Sequence, residues 1–597
     1  MAAETGVPRP LPRGEEMAAG SLQSGSGEGF ASRIAGWFRL SNLVLVFCVV
    51  LAGWLVFVPL GSLIYISLAE DTPIGPGGFT LDNFINAYAD RHLLVLFRNS
   101  MIYGVGTAVV TLVMGAGVAW VVERTDAPGR GAFHVMSLMS FAIPGLLTTM
   151  AWILIFSPNI GWLNKLMMGW FGLSEAPVNI YTMTGMIWAL SSHYFPLAYL
   201  LMGPAFRVLD IRMEEAATVS GARNWQVATR VTLPLLRPAI LSTLLLLFVR
   251  GIESFEVPRL LGIPADIAVF TTEIQNATTE VPPAFGIGAA LGMTLLLICV
   301  LGVFLYRRAT ADASAYATVT GKGYQPTPLA LGRWRWPVSL AAWAMFALAL
   351  GLPLFTLIWQ SFFDAVTVPN LAMIGEGSIR NYTFLFSYPV FITALQNSGA
   401  LGAMAATAVV ALAFVMAWIA QRSSTKHGWA LDALAFAPIA IPSVIIGASI
   451  LFAYIMIPIG VYNTIWILLI AYVTMYLPYG MRFTSGGIVQ IHKELEEVAQ
   501  VSGASLLQIF RRVLIPLLAP VLIAAWLYVF VLAVRELAAS IFLAGPGTQV
   551  LGTISLTMWE EGGSFGAVCA LGMVQIAPLI VVVILLRRME TIISRRG

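Results

Sequence analysis

Six charged residues sit in runs otherwise fit for hydrocarbon. FVRGIESFEVPRLLG carries Arg250, Glu253, Glu256 and Arg259, and VRELAASIFLAG carries Arg535 and Glu536. Ionisable groups in such a setting mark substrate or ion paths, or pair with one another. On a continuous helix Glu253 and Glu256 stand three apart and share a face, which suits a hard cation with a preference for oxygen ligands. The competing reading is structural: Arg250, Glu253 and Glu256 pair among themselves or with Arg535 and hold helices in register. Neither reading gives a resident metal site, and Glu253 and Glu256 are at most transient contacts. His193 reads as a packed core residue, and His92, His134, His427 and His492 have no metal-ligand spacing. No catalytic His, Cys or Ser constellation stands out, so the chain reads as a non-enzyme.

A second kind of signal is polar. EEAATVSGARNWQVATRVTLPLLRPAIL begins at Glu214, and EEVAQVSGASLLQIFRRVLIPLLAPVLI begins at Glu496. Glu214 and Glu215 stand in an early helical turn, where the helix dipole favours negative charge. Ala216 and Ala217 keep one face low enough for close docking. Gly221 suits a left-handed helix stop, and a short second helix is predicted from about Trp225 to Val231. Pro234 then sets the entry into the next apolar run, where its missing N–H costs little. Glu496, Glu497, Ala499, Gly503 and Pro516 repeat the design.

The elements that position these residues are membrane helices. The chain is 58% hydrophobic and 11% charged, whereas soluble proteins carry about 25% charged residues. Most of the surface must therefore face lipid, and a net charge of +3 gives no reason to expect nucleic acid. Cys48, Cys299 and Cys569 lie in apolar runs and make no CxxC or zinc spacing. Runs long enough to cross about 30 Å of hydrocarbon fall at 43–67, 96–122, 133–156, 181–206, 237–261 and 284–306, then at 337–361, 392–420, 429–457, 464–485, 517–543 and 565–586. Arg124, Arg130, Arg307, Arg308, Arg422 and Lys426 fall in alternate loops. The positive-inside bias then puts both termini on the cytoplasmic side.

The second half is a diverged copy of the first. Asn83, Asn99 and Pro144 answer Asn381, Asn397 and Pro442 at an offset of 298, while Pro196 and the polar stretch answer Pro478 and its counterpart at 282. The difference, 298 − 282 = 16, places an insertion around Lys165–Ile180 of the first copy. The expected fold is an all-α integral membrane protein of about twelve transmembrane helices, built as two six-helix units about a pseudo-twofold axis along the membrane normal. The expected organisation is a disordered tail at 1–35, a first unit at 36–308, a linker at 309–335 and a second unit at 336–597. The polar segments occupy 211–236 and 493–518. Pro144 and Pro442 are expected to kink the third span of each unit. Arg535, opposite Glu253 by the 282 offset, is expected to pair across the axis.

Glu215-Ala216-Ala217 with Gly221 and Leu233-Pro234 resembles the EAA motif of ABC-importer permeases. Glu497-Val498-Ala499 with Gly503 and Ile515-Pro516 is similar, with Val for the middle alanine and Ile for Leu. The resemblance spans about residues 40–590, as two fused type I permease units. It implies that Glu214, Glu215, Ala216, Ala217, Gly221 and Pro234, with their second-copy equivalents, form coupling helices docking on two separate ATPase subunits. It also implies an external, periplasmic binding protein and residence in the bacterial inner membrane. No G-x-x-x-x-G-K-[ST] occurs in the chain, so ATP and Mg belong on the partner and no cofactor is expected here. ESFEVPRLLG and RELAAS are similar to segments of fused ferric-iron permeases. Relatives for thiamine, aminoethylphosphonate and polyamines carry similar patterns. A two-repeat secondary transporter is the alternative of another class, but it has no use for two EAA-like segments.

Overall fold

The computed structural model of the chain describes residues 27–72, 75–89, 91–209, 211–311, 329–422, 428–457 and 459–596. It divides into a small unit, residues 1–47, and a large one, residues 48–597, which holds both copies of the repeat. Of the expected tail at 1–35, residues 1–26 lie outside the described residues. Residues 27–35 are not irregular but belong to a helix, Gly27–Ser67. Phe30, Ile34, Trp37 and Phe38 recur there at helical spacing, a pattern obscured by the Gly- and Ser-rich composition. Most of the expected linker, 312–328, also lies outside the described residues.

The protein is an all-α membrane protein. Among the described residues, nine helices are long and apolar enough to cross a membrane, and two sharply bent helix pairs are together long and apolar enough to form a broken span or a re-entrant loop each. The remaining expected span, 181–206, is the 26-residue helix Met183–Val208, about 39 Å long at 1.5 Å per residue. Ser191, Ser192, His193 and two prolines make it more polar than the nine. A two-stranded hairpin, Ala69–Thr72 with Gly75–Phe79, follows the first span.

The third spans are broken rather than kinked. Arg130–Ser140 and Gly145–Phe156 meet at 103°, and Gly428–Ala440 and Ser443–Met456 at 104°. The cause is local: Ile143 and Ile441 stand immediately before prolines and take extended backbone, as a pre-proline residue prefers. The fifth spans also differ from expectation. Helices Leu233–Ile252 and Ile515–Val534 each stop nine residues short of the expected ends (261 − 252 and 543 − 534).

Each half leans on the other. Ser62 Oγ donates to Ser449 O at 2.7 Å and Trp54 Nε1 to Tyr454 Oη at 2.9 Å. Reciprocally, Leu352–Ser361 of the second half packs on Gly145–Phe156 of the first. The helix Trp162–Phe171 overlaps the expected insertion around Lys165–Ile180, and its Trp162 Nε1 reaches Thr356 Oγ1 at 3.2 Å.

Paired Asn-Ser residues hold the segments beyond each fifth span. Asn99 Nδ2 donates to Ala268 O at 3.1 Å, and Ser100 Oγ accepts from Phe270 N at 3.1 Å. Asn397 Nδ2 donates to Gln549 O at 3.0 Å, and Ser398 Oγ accepts from Leu551 N at 2.8 Å. Backbone groups freed at membrane depth must be satisfied inside the protein, and both copies solve this identically.

Candidate functional site

The paired-glutamate segments are helix–turn–helix excursions of the same shape. Ile211–Val219 and Glu494–Val501 both end at left-handed glycines, Gly221 at φ 85° and Gly503 at φ 83°. Ala222 N bonds to Ala217 O and Ala504 N to Ala499 O, each at 3.0 Å, closing the helix ends in the 6→1 manner. The predicted second helix is shorter than expected, Asn224–Val227. A π-turn at Ala228–Thr232 then carries the chain without a stop into the fifth span, with Pro234 in its first turn. Leu506–Ile509, the π-turn Phe510–Leu514 and Pro516 repeat this arrangement.

The two glutamates of each pair face opposite ways. Glu215, Ala216 and Glu497 are exposed, and Ala217 and Ala499 are half-buried. Glu214 and Glu496 turn inward to Arg124 and Arg422. Sequence reasoning took these arginines only as markers of sidedness. The signal was present, since 422 − 124 is the 298 offset of the repeat. Apolar tips stand out in register at the 282 offset: Met213, Val219 and Trp225 in one copy, Leu495, Val501 and Leu507 in the other, with Val219 89% and Val501 78% exposed.

The other cluster lies where the fifth spans break. Glu253 is the C-cap of Leu233–Ile252, and Glu256 lies beyond two non-helical residues, in the turn leading to the π-turn Pro258–Gly262. The two therefore do not share a face of one continuous helix. Glu253 is taken by Arg250 of the same segment, and Arg250 also donates to Tyr479 Oη of the other half. The cross-axis partner of Arg250 is thus a phenol that sequence reasoning missed. Arg535 caps Ile515–Val534 and lies within electrostatic reach of Glu256 and His193. Glu536 is turned to its own backbone: its carboxylate accepts from Ala539 N at 2.8 Å, Ser540 N at 3.1 Å and Ser540 Oγ at 2.5 Å. Arg259 leaves the cluster for Glu560 of the second half. His193 is buried with Nδ1 unpartnered, beside Gly145 at the break of the third span. Among the described residues, no three His, Cys, Asp or Glu side chains converge as metal ligands.

A duplicated bundle of membrane helices, with an exposed helical excursion before each fifth span, defines a transport permease. The family described as "Binding-protein-dependent transport system inner membrane component" matches residues 112–312 and 410–596, and the chain belongs to it. The matches begin 298 positions apart (410 − 112), in step with the repeat. The chain is thus a multi-pass inner-membrane permease of the ABC-importer class. It is 24% identical over 518 residues to the ferric transport system permease protein FbpB of Actinobacillus pleuropneumoniae, covering 85% of this chain and 72% of that protein. It is 25% identical over 471 residues to the Fe(3+)-transport system permease protein FbpB 2 of Haemophilus influenzae, covering 78% and 84%. A shorter match, 28% over 231 residues and 36% of this chain, covers 79% of the putrescine transport system permease protein PotI of Escherichia coli.

Proposed function

We propose that this chain imports ferric iron, released to it by an external binding protein and moved by alternating access that two separate ATPase subunits drive. Each paired-glutamate segment is then a coupling helix on one ATPase, with both chain termini on the ATPase side. The observation that carries the coupling reading is the exposure, in register in both copies, of Glu215, Ala216 and the Met213–Val219–Trp225 tips against Glu497 and Leu495–Val501–Leu507. A fused pair of like docking surfaces accounts for two motors on one chain.

Ferric iron is the cargo that the relatives matching most of this fused chain are named for; the putrescine permease, covered over 79% of its own length, matches about a third of this chain. The carboxylate and phenol oxygens at the fifth-span breaks, from Glu256 and Tyr479, are hard donors suited to brief contact with such an ion. Glu253 and Glu536 are engaged elsewhere in the protein.

The test is uptake into proteoliposomes holding the chain, its co-purifying ATPase and its binding protein, comparing radiolabelled ferric iron with thiamine, aminoethylphosphonate and putrescine. ATP-dependent accumulation of iron alone is the expected result. Accumulation of one of the organic substrates in its place would keep the coupling reading and replace the cargo.

A further inference from the structure

We propose that Arg124 and Arg422 are positioning residues that fasten the two coupling segments to the second spans, so that motor movement enters the bundle through them. This rests on the coupling reading above. Arg124 is the last residue of helix Arg91–Arg124 and Arg422 the last of Pro389–Arg422. Arg124 is 5% exposed, binds the Glu214 carboxylate and donates from Nη1 to Leu209 O at 3.2 Å. Arg422 donates from Nε to Glu496 Oε1 at 2.7 Å and from Nη2 to Ile491 O at 2.5 Å.

The arginines differ by 298, and both the glutamates (496 − 214) and the carbonyls (491 − 209) differ by 282. All three groups are therefore equivalent between the copies. The planar guanidinium fork can hold a carboxylate and a backbone carbonyl at once, so it fixes both the start of the coupling helix and the end of the preceding span. An ion pair kept for bundle stability alone has no need of the same backbone carbonyl in two diverged copies.

The second carboxylate oxygen distinguishes the halves. Glu214 Oε1 accepts from Thr232 Oγ1 at 2.6 Å, in the π-turn that feeds the fifth span. Glu496 Oε2 accepts from Trp418 Nε1 at 2.9 Å, on the second span itself. The first segment thus grips spans two and five together, and that fifth span carries Arg250 and Glu253 at its far end. The second segment grips span two twice.

The experiment measures ATP hydrolysis and substrate uptake in the same proteoliposomes, with the full chain, its ATPase and its binding protein. Arg124→Gln and Arg422→Gln should lower uptake per ATP by about tenfold, and Arg124→Lys, which keeps charge but loses the fork, by less. Thr232→Val should lower the ratio, and Leu514→Thr at the equivalent place in the second half should leave it unchanged. Loss of folded protein scales hydrolysis and uptake together and leaves their ratio in place. An unchanged ratio in the Gln variants overturns the proposal. Should those variants fail to assemble, an unchanged ratio in both Arg124→Lys and Thr232→Val overturns it. A wild-type chain that retains no ATPase would instead end the coupling reading itself.

Discussion

Gly115 and Ala198 meet where the second and fourth spans of the first half cross, and the second half makes the same contact with the residues exchanged. A Cβ on Gly115 would lie 2.6 Å from Phe195 O and 2.7 Å from Tyr199 N, and would also strike Ala198 Cβ. The equivalent positions (115 + 298 and 198 + 282) are Ala413 and Gly480, where a Cβ on Gly480 would lie 3.1 Å from Ala413 Cβ and 2.6 Å from Val409 Cγ1. One glycine per crossing is retained, on either helix. Helices in lipid gain their association from such close approach. Gly115→Ala should therefore destabilise the first half by about 1–3 kcal/mol, read as a lower thermal midpoint in detergent. Adding Ala198→Gly removes the Cβ–Cβ clash but not the approach to Phe195 O and Tyr199 N, and should recover part of the loss. No recovery would mean that this crossing does not set the helix spacing.

Gly221 and Gly503 test the coupling segments without touching their surfaces. Nothing lies within 4 Å of a Cβ at either site, and both residues hold positive φ. Alanine there should cost about 1–2 kcal/mol of left-handed backbone strain and no steric clash. Co-purification titrations should show ATPase retention falling by about tenfold for either variant, with asparagine milder than alanine. Full retention in Gly221→Ala would show that the turn needs no fixed geometry to dock.

Much of this architecture was legible because it is written twice. The offsets of 298 and 282 located the insertion and aligned the paired glutamates, and the glycine stop and the proline entry followed from residue chemistry. What failed was continuity. Hydropathy treats 237–261 and 517–543 as unbroken, but the helices end at Ile252 and Val534, where Glu253 and Arg535 take the cap positions and the chain turns inside the protein. An apolar run reports burial and cannot say whether the backbone within it stays helical. The same blindness made two breaks beyond 100° look like proline kinks. Arg124 and Arg422 were visible as basic residues at span ends, yet only three-dimensional contact shows which carboxylate each one holds.

Arg259 and Glu560 join the halves on a single diagonal. The guanidinium donates from Nε to Oε1 at 2.7 Å and from Nη2 to Oε2 at 3.1 Å, and from Nη1 to Gln275 Oε1 at 3.1 Å. Bidentate geometry of this kind is specific as well as attractive. The positions reached by the 282 offset, Ile541 (259 + 282) and Thr278 (560 − 282), carry no charge, so this ion pair has no counterpart at the equivalent positions. Arg259→Glu and Glu560→Arg should each lower uptake several-fold, since like charges then face each other at the contact. The double reversal should restore part of it, short of wild type because Gln275 loses its donor. Equal uptake in all four proteins would make the contact incidental to the cycle.

The three glutamates near the fifth-span breaks should separate by what their loss does. Glu536→Gln removes one of two carboxylate oxygens that serve Ala539 N, Ser540 N and Ser540 Oγ, leaving a buried donor unsatisfied at about 1–3 kcal/mol. Glu253→Gln strips Arg250 of its carboxylate partner, and breaking a buried pair from one side costs about 3–5 kcal/mol. Both variants should lose thermal stability, with uptake falling only as folded protein falls. Glu256 is the most exposed of the three: it is half-buried, its carboxylate accepts from the backbone N–H groups of Phe255 and of Glu256 itself, and Arg535 is near enough to act on it electrostatically. Glu256→Gln should hold its thermal midpoint while ferric uptake per folded chain drops by about tenfold, the scale of one lost charge-assisted contact. Thermal midpoint and uptake measured on the same preparations decide the matter. If Glu256→Gln melts early and transports normally per folded molecule, all three carboxylates are structural, and the path for the ion must be lined by neutral oxygens such as that of Tyr479.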